Sequence, residues 1–273
     1  MKIVLYGSCQ VSAISEMIYE MTSQNKLDAD IQLDIQLDIQ LEVIKNWVYI
    51  LDKKSLPPSM FICDIFIYQP YNGSPEHIEY HTDTILPLIK AKKISIPFMC
   101  SYLHWPDNFA DVRNKKTKEL LFGQFPQQSI ILSKYNYLEE LMSDYNKDHY
   151  TTEQLETHAN NLFKIIKKVE DSCDIKILDF IKSCTNEQLF HSAQHPSNKL
   201  LIHVVNQILD ILNIKIITPV IIQKELLKDH IVFILPCVQR YFKLNIQQYK
   251  LNGYGLVTEN EYLVKYFENI NSN

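Results

Sequence analysis

The chain has 273 residues, 46% of them hydrophobic, and a formal net charge of −5. That length suits one large domain, or one core domain with a helical appendage, and the hydrophobic fraction supplies ample apolar material for a core. The acidic balance argues against nucleic acid as a partner, and no apolar run reaches the ~18 residues of a membrane span.

The 6 cysteines (Cys9, Cys63, Cys100, Cys173, Cys184 and Cys237) are scattered, with no CxxC pair. This argues against a zinc site, so no metal is expected. The apolar start is short and reads as a strand rather than a signal peptide. The expectation is a cytoplasmic protein with reduced thiols.

Lys2–Tyr6 reads as a short buried strand and Gly7 as a turn. Ser8, Cys9 and Gln10 then open a helix through Val11, Ile14, Met17 and Ile18, to about Gln24. A thiol at a helix start lies over backbone N–H groups that have no partner within the helix. Such a place lowers a thiol pKa and holds an anion, so Cys9 is the first candidate nucleophile. The alternative is a small buried residue packing helix on strand.

From Asp30 the tetrapeptide Asp-Ile-Gln-Leu occurs three times and Glu42-Val follows, so apolar residues from Ile31 to Val43 fall at every second position. Period two predicts a long strand, and adding four residues to a strand keeps its apolar face. A long edge strand also offers a pairing surface, hence a homodimer as the alternative use.

Met60–Tyr68 reads as a second buried strand, ending in the turn Gln69-Pro70-Tyr71-Asn72-Gly73. The Gln69 amide, with Gln10 and the Cys9 N–H, is placed to donate to an oxyanion, or else to satisfy the turn's backbone. His77–Lys92 reads as loop and helix, and Lys93–Cys100 as a third strand. The loop that follows carries Tyr102, His104, Trp105 and Asp107 and reads as a pocket rim or a cover over core. Strand, helix and strand in alternation predict a doubly wound, mainly parallel sheet.

Arg113, Lys115, Lys116 and Lys118 form a local basic run, suited to the phosphate groups of a cofactor or to a solvated helix face. The second half reads as helical. Thr151 or Thr152 caps a helix with Leu155, Leu162, Phe163, Ile166 and Val169 on its apolar side; Asp174–Cys184 and Lys199–Leu212 are further helices. The expected organisation is a single domain, strand-rich over residues 1–110, with a helical half over 150–273 packed on it. Between those helices, the proline in His195-Pro196 holds His195 extended, just before a helix opening near Ser197. His195 is a candidate base, with His191 as its competitor. Asn198 either caps that helix or binds substrate.

These residues resemble the WcbI-type polysaccharide biosynthesis proteins. Gly7-Ser8-Cys9-Gln10 is similar to that family's Gly-Asn-Cys-Gln, and Asp64-Ile-Phe-Ile-Tyr-Gln-Pro to its second strand and turn. Tyr102-Leu-His-Trp-Pro-Asp107 and Gln188–Asn198 resemble its aromatic loop and its His-Pro segment. The resemblance implies an SGNH-hydrolase-like, flavodoxin-like architecture that binds coenzyme A or acetyl-CoA as acyl donor. It implies acyl transfer to a carbohydrate in capsule or exopolysaccharide synthesis, with Cys9 where the hydrolases carry serine and His195 as the matching histidine. Ser8 stands where the family has asparagine. Ser192 lies three residues before His195, so the orienting acid comes from elsewhere or the site is a Cys–His dyad. The alternatives are an SGNH-like esterase or deacetylase using the same residues, and a non-catalytic coenzyme A- or nucleotide-binding protein.

Overall fold

The structure, a computed structural model, describes residues 1–27, 39–106, 110–113, 120–125, 135–216, 222, 224–228, 234–246, 249–251 and 255–271. These pack as two compact units. The first comprises Met1–Met99, Lys167–Phe180 and Asn198–Leu226, and the second Cys100–Ile166, Ile181–Ser197 and Leu227–Asn273.

The first unit is built on a four-stranded parallel sheet. Its strands are β1 (Lys2–Gly7), β2 (Gln40–Lys45), β3 (Ile65–Tyr68) and β4 (Lys92–Ser95), in the order β2-β1-β3-β4. Period two divides the side chains between the faces. Val4, Tyr6, Ile44 and Phe66 cluster with Met60, Ile85 and Ile89 on one face, while Ile3, Leu5 and Ile67 are buried on the other. Both faces are covered, as a parallel sheet requires. The buried Tyr6 hydroxyl donates to the Tyr80 carbonyl at 2.5 Å.

Helix α1 (Cys9–Leu27) leaves β1 after a single residue, Ser8, and buries Val11, Ala13, Ile14, Met17, Ile18 and Met21. The chain goes from β1 to β2 on one side, then to β3 on the other, so strand order reverses beside β1. In open α/β sheets this switch point, at the carboxyl ends of the strands, is where ligands gather.

Several elements are shorter than their sequence pattern. The Met60–Tyr68 run is a strand only from Ile65, because Pro57 and Pro58 open a 3-10 turn over Pro58–Phe61. The Lys93–Cys100 strand stops at Ser95: Ile96 still donates to the Tyr68 carbonyl at 2.8 Å, but Pro97 has no N–H to continue the ladder. Helix α2 (Asn46–Asp52) follows β2 directly. Between the two shortened strands, 3-10 turns over Pro75–Tyr80 and Leu86–Leu88 and the single-turn α3 (Thr82–Ile85) stand where a loop and helix are expected over His77–Lys92, with Pro75 and Pro87 in the 3-10 turns. Of the Asp-Ile-Gln-Leu repeat, the described end from Gln40 is β2, and residues 30–38 lie outside the described residues.

The second unit carries the hairpin strands β5 (Ala110–Arg113) and β6 (Leu120–Phe125), then α4 (Leu138–Tyr145) and most of α5 (Thr152–Asp171). Thr151 caps α5 through a reciprocal pair: its Oγ1 accepts from the Gln154 N–H at 3.2 Å, and Gln154 Oε1 accepts from the Thr151 N–H at 2.8 Å. Leu155, Leu162 and Ile166 are buried as the helical stripe predicts, but Val169 is 41% exposed and Glu170 is buried in its neighbourhood.

The Asp174–Cys184 segment is helical only over α6 (Leu178–Ser183). Glu170 is the reason for the late start, since its Oε2 accepts the N–H groups of Ile177 and Leu178 at 2.7 and 2.9 Å. Then follow β7 (Phe190–Ser192), β8 (His195–Pro196), α7 (Asn198–Ile211), α8 (Pro236–Phe242), the hairpin β9 (Tyr249–Leu251) and β10 (Gly255–Val257), and α9 (Glu259–Asn271). Helix α7 buries Leu200, Leu201, Val204, Val205 and Ile208, the face its sequence predicts.

Candidate functional site

The carboxyl end of β1 is shaped by a closed amide network. Gln69 Oε1, just past β3, accepts from the Ser8 N–H at 2.9 Å and from Ser8 Oγ at 2.7 Å. Gln69 Nε2 donates to Gln10 Oε1 at 2.7 Å and, more weakly, to the Pro97 carbonyl at 3.5 Å. Gln10 then spans to the chain beyond β4: its Nε2 donates to the Met99 carbonyl at 2.7 Å, and its Oε1 accepts the Met99 N–H at 3.0 Å. Gln10 is 0% and Gln69 3% exposed. Three chain ends of the sheet are thus tied together by two glutamines.

Gly7 is required here by close approach, since a Cβ would lie 2.6 Å from Gln69 Oε1 and 2.9 Å from a Val11 methyl. The network leaves Cys9 half-buried as the first residue of α1, whose first turn carries no acidic side chain. Cys9 therefore stands at the positive end of a 19-residue helix without a competing carboxylate on that turn. The Gln10 and Gln69 amides, read from sequence as oxyanion donors, spend these hydrogen bonds on each other and on backbone, which makes them supports of the turn.

In the second unit, the β7–β8 hairpin presents His195 extended before Pro196 and half-buried, while His191 is buried. Its tip is tied down by the Ser101 N–H, which donates to the Ala193 carbonyl at 2.8 Å. Beside it the Tyr102 hydroxyl is pushed up to about 12, by burial first and then by Cys100, against a pull from Gln194. Burial also pushes the Cys100 thiol up, while its hydrogen bond with Tyr102 lowers it. The Tyr102 carbonyl accepts from His158 Nε2 at 2.8 Å.

His104, in the loop read as a pocket rim or a cover over core, is 4% exposed. Its Nε2 lies 3.2 Å from the Thr185 carbonyl, an acceptor, so that nitrogen carries the hydrogen. Its ring meets Trp105 and Phe242 edge-on. Burial pulls its pKa down to about 4, against the Thr185 bond, which raises it. His104 is therefore a neutral internal donor.

Asn198, the first residue of α7, is also internal. Its Nδ2 donates to the Lys224 carbonyl and its Oδ1 accepts the Leu226 N–H, both at 2.9 Å, so it ties down a connecting loop. Arg113 ends β5, and its side chain lies outside the described residues, as do Asp107, Lys115, Lys116 and Lys118. Sequence reasoning missed Met99, which acts through backbone atoms alone and so leaves no side-chain signal.

The sequence model described as polysaccharide biosynthesis enzyme WcbI matches residues 47–215. The chain belongs to the WcbI family. The matched stretch contains Gln69, Tyr102, His104, His195 and Asn198, and begins after Cys9. A solved WcbI structure shares the fold over 100% of this chain and 90% of its own, with a TM-score of 0.74 at 15% identity. That structure is described as the native protein without a disulfide bond between coenzyme A and one of its cysteines. No curated protein matches the chain. Among the described residues, no helix is long and apolar enough to cross a membrane.

Proposed function

We propose that this WcbI-family chain transfers an acyl group, acetyl in the first instance, from coenzyme A to a sugar hydroxyl in capsular or exopolysaccharide synthesis. The observation that carries the reading is the half-buried Cys9 at the start of α1, between Ser8 and Gln10, both fixed by the Gln69 network at the switch point of the sheet. A thiol in that place suits the thiol end of coenzyme A, and the solved WcbI structure is described as being without a disulfide bond between coenzyme A and one of its cysteines.

When bound, an acyl-coenzyme A would supply a carbonyl activated for transfer. The chain's own part is to hold Cys9 as nucleophile and to set the positive end of α1 where an oxyanion develops. Ser8, Gln10 and Gln69 keep that turn rigid. His195 has the role of general base in this reading, and Tyr102 that of a substrate-side hydroxyl in the second unit.

Intact mass after incubation with acetyl-CoA tests the covalent form: one acetyl adduct is expected on the wild type and none on Cys9→Ala. Absence of an adduct, together with full turnover by Cys9→Ala, overturns it. His195→Ala is measured separately and should lower transfer while leaving coenzyme binding intact.

A further inference from the structure

The turn beyond β3 carries an asparagine followed by a glycine, Asn72-Gly73, and both residues are exposed. We propose that Asn72 is a site of self-deamidation, and that its conversion to aspartate or isoaspartate opens the turn that leads out of Gln69.

Gly73 is there because of Tyr71. A Cβ at position 73 would collide with the Tyr71 hydroxyl, and the Tyr71 ring meets His81 edge-on, with centroids 5.7 Å apart. The packing that demands a glycine thus leaves the Asn72 amide beside a backbone nitrogen with no side chain to shield it. Among the described residues the Gly73 N–H meets no acceptor, so no hydrogen bond has to break before that nitrogen reacts. Asparagine is among the thermolabile residues, and a water-exposed turn is where its amide is least protected.

The Asn72 side chain is also oriented. Its Oδ1 accepts from Thr82 Oγ1 at 3.3 Å, and its Nδ2 donates to Asp83 Oδ2 at 2.8 Å. A hydroxyl on the amide oxygen draws electrons from Cγ and suits the oxyanion that forms there. The Gly73 nitrogen gives its proton to a solvent base and attacks Asn72 Cγ. The new N–C bond closes a five-membered imide, the Cγ–Nδ2 bond breaks, and ammonia leaves after taking a proton from water. Water then opens the imide at one of its two carbonyls, giving aspartate or isoaspartate. Water is the one co-reactant, and nothing is oxidised or reduced.

Each product disturbs the turn. Aspartate sets a carboxylate against Asp83 where a hydrogen bond stood, and like charges repel. Isoaspartate lengthens the backbone by one carbon between Tyr71 and Gly73. Tyr71 is held on its other side, where its N–H donates to Thr82 Oγ1 at 3.2 Å and its carbonyl accepts the Thr82 N–H at 2.8 Å. The added carbon therefore has to be taken up within the turn itself.

Peptide mass mapping of the full chain, incubated at neutral and mildly alkaline pH, tests the proposal against a synthetic peptide of residues 66–78. Asn72 should gain one mass unit at a rate within about tenfold of the peptide's, and the rate should rise with hydroxide concentration. Asn72→Gln should lose the mass gain, because the longer side chain closes a six-membered ring far more slowly. A rate more than about tenfold below the peptide's, or one indifferent to pH, overturns the site. Asn72→Asp mimics one product and should lower the melting temperature by about 2 °C, and Asp83→Asn in that background should restore it. An unchanged melting temperature in Asn72→Asp overturns the claim that conversion opens the turn.

Discussion

Replacing Gln69 by leucine tests whether the glutamine network shapes the turn that carries Cys9. The substitution removes three short hydrogen bonds, two at Ser8 and one at Gln10, and a weak fourth at Pro97. At about 1 kcal/mol net for each short bond, the loss is about 3 kcal/mol. Gln10 Oε1 keeps its bond from Met99, so no further acceptor is stranded there. For a chain of this size that is a fall of roughly 6–12 °C in melting temperature. Alkylation of Cys9 by iodoacetamide, followed by peptide mass mapping, should change in rate as the turn loosens. Gln69→Glu sharpens the test. The introduced acid still accepts from Ser8 but faces the Gln10 oxygen without an N–H. Its pKa rises in the folded state, so the variant keeps most stability below the unfolded carboxyl pKa of about 4.3 and loses it as pH rises. A melting point within about 2 °C of wild type for Gln69→Leu, with unchanged alkylation, would refute the reasoning.

Glu170→Ala strands the Ile177 and Leu178 N–H groups in a buried place and should cost about 2–5 kcal/mol in urea denaturation, with Glu170→Gln costing less. His104 sits below its usual pKa, so the unfolded chain binds the extra proton; wild-type stability should hold above about pH 6.5 and fall toward pH 4, by roughly 3 kcal/mol in all. His104→Gln, which keeps a donor for Thr185, should flatten that pH dependence. Tyr6→Phe deprives the Tyr80 carbonyl of its 2.5 Å donor and should cost about 1–2 kcal/mol by thermal denaturation. Thr151→Ala removes the α5 cap and should cost about 1 kcal/mol on the same measure.

Legibility in the sequence followed locality. Strand β1, the helix starting at Cys9, the Thr151 cap and the buried face of α7 depend on residues within a few positions of one another, and each was readable. What misled was apolar content without a view of backbone donors. Pro58 and Pro97 truncate two runs that composition alone makes into long strands. The late start of α6 depends on Glu170, and nothing within Asp174–Cys184 announces it. At the site, the sequence offers Gln10 and Gln69 as oxyanion donors, or Gln69 as a turn residue satisfying the backbone. Their job emerges only from Met99 and Pro97, residues with no chemistry of their own to flag them. The mix of aromatic faces and polar tips around His104 suits a pocket rim and a cover over core alike; burial, the Thr185 carbonyl and the Phe242 ring make it internal.

The glutamine network has a consequence for biosynthesis of the chain itself. Its bonds join residues up to 89 positions apart, and its last anchor is the backbone at Met99. During synthesis, Cys9 emerges long before anything can hold its turn, because ordering so wide a loop has to await the fourth strand. A nascent or truncated chain ending short of Met99 would carry the thiol without its cradle. The folded sheet therefore acts as a timer on the thiol's chemistry, keeping Cys9 out of its working geometry until more than a third of the polypeptide has been made.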